Sequence, residues 1–292
     1  MFRKIKLDLL IRKFGKYGLW FNTIFGLIFL YLPIFILIIY SFNASRFNSV
    51  WRGFTLDWYQ SLLSGITDKN AQITDDMVWS ALQNSLIVAV ISTFFSTLLG
   101  TMLALALERF QIRGKSWLEG LLILPIIIPE ITMGISLLVF FSLLFKLIET
   151  FTGIRLVLGL PTVIIGHIAF SLSFVAIIVR GRIAELEPFI EEAAWDLGAN
   201  EWQTLRLIIL PLITPSIISA ALLAFTLSLD DFVITFFTTG VGATTLPLFV
   251  YGMIRFSVSP IINAISTLML ITSLLLVISS LILSKESSNR LF

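Results

Sequence analysis

Glu192-Ala193-Ala194-Trp195-Asp196-Leu197-Gly198, followed at a short distance by Ile208-Ile209-Leu210-Pro211, is a polar stretch set between two long apolar segments. Two acids and a glycine stop within seven residues do not belong in hydrocarbon, so this piece lies in water while its flanks cross a membrane. The rest of the chain repeats that alternation. Its 292 residues are 57 % hydrophobic and 13 % charged, with a mean hydropathy of +0.98. Soluble domains carry about 25 % charged residues.

Six apolar segments are readable, at 18–42, 82–107, 117–145, 161–180, 212–237 and 259–283. Each is near the roughly 20 residues that a helix needs to cross hydrocarbon. The pattern predicts an all-α integral membrane protein with six transmembrane helices and a cytoplasmic helix between the fourth and fifth. A basic segment, 1–17, precedes the membrane domain at 18–284, and a tail covers 285–292. The first apolar run is too long for a signal peptide and lacks a small-residue cleavage site. Arg46, Arg52, Lys69, Lys146, Arg155 and Arg255 fall on one side of the membrane; the other 14 of the 20 Lys and Arg fall on the opposite side. The richer side is the cytoplasmic one, so both termini are expected there.

Several classes of chemistry are excluded. The chain has no Cys, which removes disulfides and thiolate-bound metal, and its one His removes a His-rich metal site. No glycine-rich phosphate loop of the Walker type is present, so any ATP and Mg are held by another subunit and no cofactor is expected on this chain. Nothing points to nucleic acid; membrane lipid is the surrounding partner. The outer loop at 43–81 is long and carries Trp51-Arg52-Gly53-Phe54-Thr55-Leu56-Asp57-Trp58-Tyr59. Interfacial anchoring by aromatics and docking of an outside partner both fit it. Asn43-Ala44-Ser45 matches a glycosylation sequon, a pattern common by chance.

Within the polar loop at 185–211, a short helix is predicted over 188–197, with Pro188 in its first turn. Phe189, Ile190, Ala193, Ala194 and Leu197 cover an arc of about 140°, and Glu191, Glu192, Trp195 and Asp196 fall outside it. Gly198 ends the helix in the left-handed conformation. Asn200 and Gln203 form a capping box for a second helix, and Pro211 marks entry to the fifth span. Amphipathic helices that lie on lipid carry Lys and Arg on the polar face. Acids with a Trp fit a protein partner better, with the lipid-surface reading as the alternative.

Glu-Ala-Ala, three residues, Gly, nine residues and Ile-x-Leu-Pro is the signature loop of bacterial ABC importer permeases, and Glu192, Ala193, Ala194, Gly198, Ile208, Leu210 and Pro211 stand at those spacings. The resemblance runs from the first span to Ser284. Ala81-Leu82-Gln83-Asn84-Ser85-Leu86, Pro129-Glu130-Ile131 and Phe225-Thr226-Leu227-Ser228-Leu229-Asp230-Asp231-Phe232-Val233 resemble spermidine/putrescine permeases of the type encoded second in a permease pair. So do Leu246-Pro247-Leu248, Tyr251-Gly252-Met253 and Ser257-Val258-Ser259-Pro260. Permeases for ferric iron, thiamine, sulfate and phosphonates share the loop. The resemblance implies a non-catalytic subunit of the bacterial cytoplasmic membrane. Its implied partners are a homologous permease, two ATP-binding subunits and an extracytoplasmic polyamine-binding protein. It also implies that the helix carrying Glu192, Ala193, Ala194, Trp195 and Gly198, with Leu210 and Pro211 behind it, couples to the ATPase. The basic N-terminal extension and the enlarged outer loop read as elaborations on the family pattern.

Three acids lie within apolar segments, where a charge at mid-membrane costs roughly 2.5–3.5 kcal/mol on insertion scales. Glu130 falls about 20 Å into the third segment, and Asp230 and Asp231 about 28 Å past Pro211, at a helical rise of 1.5 Å per residue. A polycationic cargo would supply the counter-charge that no Lys or Arg within a span provides. Adjacent Asp residues point about 100° apart on a helix, so one of the pair faces the pathway together with Glu130. The alternatives are structural: Asp231 caps a broken helix or meets the partner permease, and Glu130 satisfies a kink after Pro129. His167 is expected to hydrogen-bond a neighbouring helix rather than to relay protons. Gly100, Gly134 and Gly166 are expected to permit close helix approach, and Pro33, Pro125 and Pro129 to kink helices. An ion-driven secondary transporter and a non-transporting scaffold are the rival classes; neither accounts for the polar loop.

Overall fold

The computed structural model describes residues 2–45, 50–64, 75–110, 113–187, 189–254 and 260–289. Among these, the chain runs α1 (Phe2–Tyr40), α2 (Asp57–Ser64), α3 (Asp75–Arg109), α4 (Lys115–Ile127), α5 (Glu130–Thr152), α6 (Leu160–Ala184) and α7 (Phe189–Asp196). It continues through α8 (Glu201–Thr204), a π-helical turn (Leu205–Ile209), α9 (Leu210–Asp230), α10 (Val233–Thr238), α11 (Leu246–Ile254) and α12 (Pro260–Asn289). Six helical stretches are long and apolar enough to cross a membrane: Gly15–Tyr40, Met77–Arg109, Glu130–Thr152, Leu160–Ala184, Glu201–Asp230 and Ile261–Ile282. Pro188, Arg46, Lys69, Arg255, Ser257-Val258-Ser259 and Arg290 lie outside the described residues.

The six-span reading holds, but two segments expected as single helices are broken. The segment 117–145 divides at Ile128 and Pro129, whose backbones are extended at ψ 134°. Proline has no N–H to donate, and its ring disfavours helical geometry in the residue before it. The third span is therefore Glu130–Thr152, and α4, at about 20 Å, is too short to cross. Glu130 opens α5 instead of lying midway along one helix, which withdraws the depth assigned to it. The segment 212–237 divides at Asp231, with ψ 127°, into α9 and the six-residue α10. By contrast α1 and α4 continue through Pro33 and Pro125. The chain is also helical from Glu201 through Pro211, with the wide π turn immediately before the proline. That widening relieves the clash a proline ring makes with the carbonyl four residues back.

The chain divides into two compact units, Met1–Ile66 with Phe256–Leu268 and Thr67–Arg255 with Met269–Phe292. In the second, Ala104, Val175, Val179, Ile183, Ile209, Ile213, Ala220 and Ala224 form a buried core among α3, α6 and α9. Lipid offers no hydrophobic drive between spans, so close packing and polar ties hold them. A Cβ on Gly100 would sit 2.9 Å from Val175, one on Gly166 2.9 Å from Ile234, and one on Gly134 2.5 Å from Phe237. These are the close approaches expected at the three glycines. Ser219 and Ser280 exchange hydrogen bonds with each other's carbonyls at 2.8 Å, tying α9 to α12. Asn84 Nδ2 donates to the carbonyls of Gly242 and Thr244 at 3.0 Å, and Ser85 Oγ accepts from Leu246 N–H at 2.7 Å. The start of α3 thus clasps the loop between α10 and α11.

In the first unit, Asn43 organises the described part of the outer loop. Its Nδ2 donates to Val50 O, its Oδ1 accepts from Ser45 N and Arg52 N, and its carbonyl accepts from Trp58 Nε1 at 2.8 Å. Phe42 stacks on Phe54 and packs against Tyr59, with ring centroids 5.2 and 5.1 Å apart. The sequon asparagine is buried inside this turn.

Candidate functional site

The polar loop folds as its residues dictate. Gly198, at φ +86°, closes α7 with both bonds of a Schellman motif: Gly198 N–H to Trp195 O and Ala199 N–H to Ala194 O, each 2.9 Å. Asn200 Oδ1 accepts from Gln203 N at 2.8 Å and Gln203 Oε1 from Asn200 N at 2.9 Å, a complete capping box.

The rotation of α7 differs from the expected apolar arc. Ile190, Glu191 and Ala194 turn toward the chain, while Phe189, Glu192, Ala193 and Leu197 turn away. Phe189 is 71 % and Leu197 89 % exposed. The cause is Arg109, at the end of α3, whose Nη2 meets Glu191 Oε1 at 2.6 Å. That ion pair fixes Glu191 on the inner side and leaves three of the five arc residues, Phe189, Ala193 and Leu197, facing out. Trp195, Trp202 and Leu207 are exposed as well. Leu210 packs on the α3–α6–α9 core, and Pro211 is exposed at the start of α9.

Further ion pairs brace the surrounding helix ends. Arg180 on α6 binds Glu108 on α3, and its Nη2 meets Glu119 Oε1 on α4 at 2.7 Å; Arg182 meets Glu185 at 3.2 Å. Arg109 and Arg182 lie in the last turns of their helices, where the helix dipole favours cations. Charge counting reads Arg109 and Arg180 only as markers of orientation. Their partners are 72 and 82 residues away in sequence, a distance no local pattern spans.

The three membrane acids have different fates. Asp231 turns inward, its side chain 5 % exposed, and accepts from Ile234 N at 3.3 Å, Thr235 N at 2.9 Å and Thr235 Oγ1 at 3.1 Å. It caps α10. His167 Nε2 stands 3.2 Å from its Oδ2, so the one His of the chain is the group set beside this carboxylate. Asp230 is exposed at the end of α9, where Ser273 Oγ donates to its Oδ1 at 2.8 Å. Glu130 is exposed in the first turn of α5, placed where a helix dipole stabilises a carboxylate. The contact of Gly134 with Phe237 brings the start of α5 against α10. Among the described residues no hydrogen bond or ion pair joins Glu130 to Asp230. One of the adjacent aspartates therefore faces out and the other is held inside the chain.

Residues 96–291 match the family described as binding-protein-dependent transport system inner membrane component. The chain is 42 % identical over 260 residues to the spermidine/putrescine transport system permease protein PotC of Escherichia coli K12, covering 89 % of this chain and 91 % of that one. It is 41 % identical over 246 residues to the putrescine transport system permease protein PotI of the same strain, covering 84 % and 83 %. In fold it is similar to a bacterial ABC transporter that imports the acidic polysaccharide alginate, with a TM-score of 0.70 at 19 % identity over 98 % of both chains. The MetNI methionine ABC transporter gives 0.57 at 18 % identity, over 74 % of this chain and 99 % of that one. With six spans, a helical loop between the fourth and fifth, and this likeness along most of its length, the chain belongs to the binding-protein-dependent inner-membrane transport components.

Proposed function

We propose that this permease imports polyamines, forming half of an ATP-driven translocation pathway and taking its drive through α7. The family makes it a multi-pass inner-membrane transport subunit. The polyamine cargo is supported by the two relatives named for spermidine and putrescine transport, and by exposed carboxylates at two span ends. Asp230 and Glu130 offer a polycation transient contacts. Weak contacts suit a pathway, since a tight site would retain the cargo; high affinity belongs to an extracytoplasmic polyamine-binding protein. The complete importer contains a second, homologous permease and two ATP-binding subunits that hold ATP and Mg. Both termini are cytoplasmic, on the side of the polar loop.

One observation carries the coupling role: α7 is locked to α3 from behind by Arg109–Glu191 while Phe189, Glu192, Ala193 and Leu197 face away from the chain. An apolar face with acids is a surface for an ATPase subunit, and the Schellman turn and capping box make its mounting stiff. Displacement of α7 is passed through the ion pair to α3 and through Leu210 and Pro211 to α9. Labelled spermidine uptake by cells carrying this chain with its partner subunits tests both parts, beside Glu192→Lys at matched membrane expression. Uptake by the parent with loss in the variant is expected. An assembled complex without spermidine uptake removes the cargo, and undiminished uptake by Glu192→Lys removes the role of Glu192.

A further inference from the structure

Four helices meet in a buried polar knot. Ser92 Oγ on α3 lies 2.9 Å from Ser228 Oγ on α9. Ser228 Oγ lies 2.7 Å from His167 Nδ1 on α6, and His167 Nε2 lies 2.9 Å from Thr235 Oγ1 on α10 and 3.2 Å from Asp231 Oδ2. Donor counting sets the direction at the Asp231 end. With Asp231 a carboxylate, Nε2–H donates to Asp231 and Thr235, and Thr235 O–H donates on to Asp231. At the other end of the ring Nδ1 meets Ser228, and beyond it stands Ser92, whose hydroxyl also reaches Ala89 O at 3.3 Å.

The knot surrounds the break in the fifth span. The break centres on Asp231, whose ψ is 127°, and Phe232 follows at φ −109°, ψ −39°. Rotation of this pair into helical angles would join α9 to α10 and carry Asp230 into the interior of a longer helix. The carboxylate of Asp231 opposes that rotation by capping α10, and His167 holds the carboxylate from another helix.

We propose that His167 is a positioning residue for the cargo pathway: its Nε2–H keeps Asp231 on the α10 cap, which fixes the break and presents Asp230 to the cargo. This rests on the polyamine pathway proposed above. The test uses the complete transporter, with spermidine uptake kinetics normalised to the amount of complex. His167→Gln reaches the position of the ring Nε2 with an amide N–H; His167→Asn reaches only the Ser228 side. His167→Gln should keep KM within about twofold of the parent, and His167→Asn should raise it about tenfold. Asp230→Asn should raise KM by itself, and adding His167→Asn to it should change KM by less than about twofold. A role in assembly alone would lower Vmax or complex amount and leave KM unmoved.

A cargo-free readout accompanies this one. The chain has no Cys, so Asp230→Cys carries one thiol whose labelling by a water-soluble reagent should slow about tenfold beside His167→Asn and little beside His167→Gln. Equal KM and labelling for the two variants, effects of His167→Asn and Asp230→Asn that add in full, or failure of either His167 variant to assemble overturns the proposal. A parent complex that takes up no spermidine overturns the polyamine cargo, while the labelling still decides whether His167 positions residue 230.

Discussion

The two breaks in the membrane helices are made in opposite ways. Between α4 and α5 the cause is covalent: Pro129 lacks an N–H and keeps Ile128 extended, and no distant residue is needed. Between α9 and α10 nothing in the local sequence forbids a helix. That break is held by Asp231 on its own cap and by His167, 64 positions earlier in the chain. Each break leaves an exposed acid beside it, Glu130 in one case and Asp230 in the other. A break made by proline persists in any surroundings; one made by a buried hydrogen-bond network persists only while the helices around it stay packed.

The difference predicts unequal sensitivity. Asp231→Ala should have the largest effect, because it strips the cap from α10 and leaves His167 and Thr235 facing an empty acceptor position. Each buried donor left without its acceptor costs about 1–3 kcal/mol. The expected outcome is a clearly lowered apparent Tm of the purified complex and loss of uptake. A complex of normal thermal stability would mean that the α9–α10 break needs no network.

Next in size is the contact that brings α5 against α10. Gly134→Leu must displace the ring of Phe237, because even a Cβ would lie 2.5 Å from it, whereas Gly120→Leu meets open space. Overpacking costs about 1–3 kcal/mol. The first variant should lower thermal stability and the second should not, read in the same melting assay. Equal melting of the two would disconnect the helix breaks from one another.

Pro129→Ala should behave differently from both. It restores an N–H and frees Ile128 to become helical, so α4 and α5 can join, yet no tertiary network is lost. Stability is expected to stay within about 1 kcal/mol of the parent, with the cost appearing in uptake because Glu130 no longer opens a helix. A stability loss as large as that of Asp231→Ala would erase the contrast between the two breaks.

What the sequence made legible follows the same division. Spans, the glycine stop at Gly198, the Asn200–Gln203 box and the close approaches at Gly100, Gly134 and Gly166 are local properties, and each is present in the structure. Pro129 was legible as a disturbance, though its effect is a full break rather than a kink. The facing of α7 was not legible, because Arg109 decides it from 82 residues away. The roles of Asp230 and Asp231 could be narrowed to one inside and one outside by helix geometry. Which was which depended on His167, a residue that sequence reading treated separately. The Cβ position of Gly240, only 1.8 Å from Leu158 O, carried no signal at all before the loops were placed side by side.

The smallest stability effect should come from the cytoplasmic tie, and here the contrast turns on solvent. Arg109 and Glu191 are 20 % and 29 % exposed, so water screens their attraction and takes up either partner when the other is removed. Arg109→Gln should therefore cost no more than about 1 kcal/mol, with little change in Tm. Its effect should appear in coupling, because α7 would no longer be held to α3 from behind. Cargo-stimulated ATP hydrolysis should continue while uptake per ATP falls. Glu191→Gln should do the same, and the double variant should be no worse than either alone if both act through one contact. Additive losses would instead place Arg109 and Glu191 in separate roles and leave the mounting of α7 to Ala194, Ile190 and the Schellman turn.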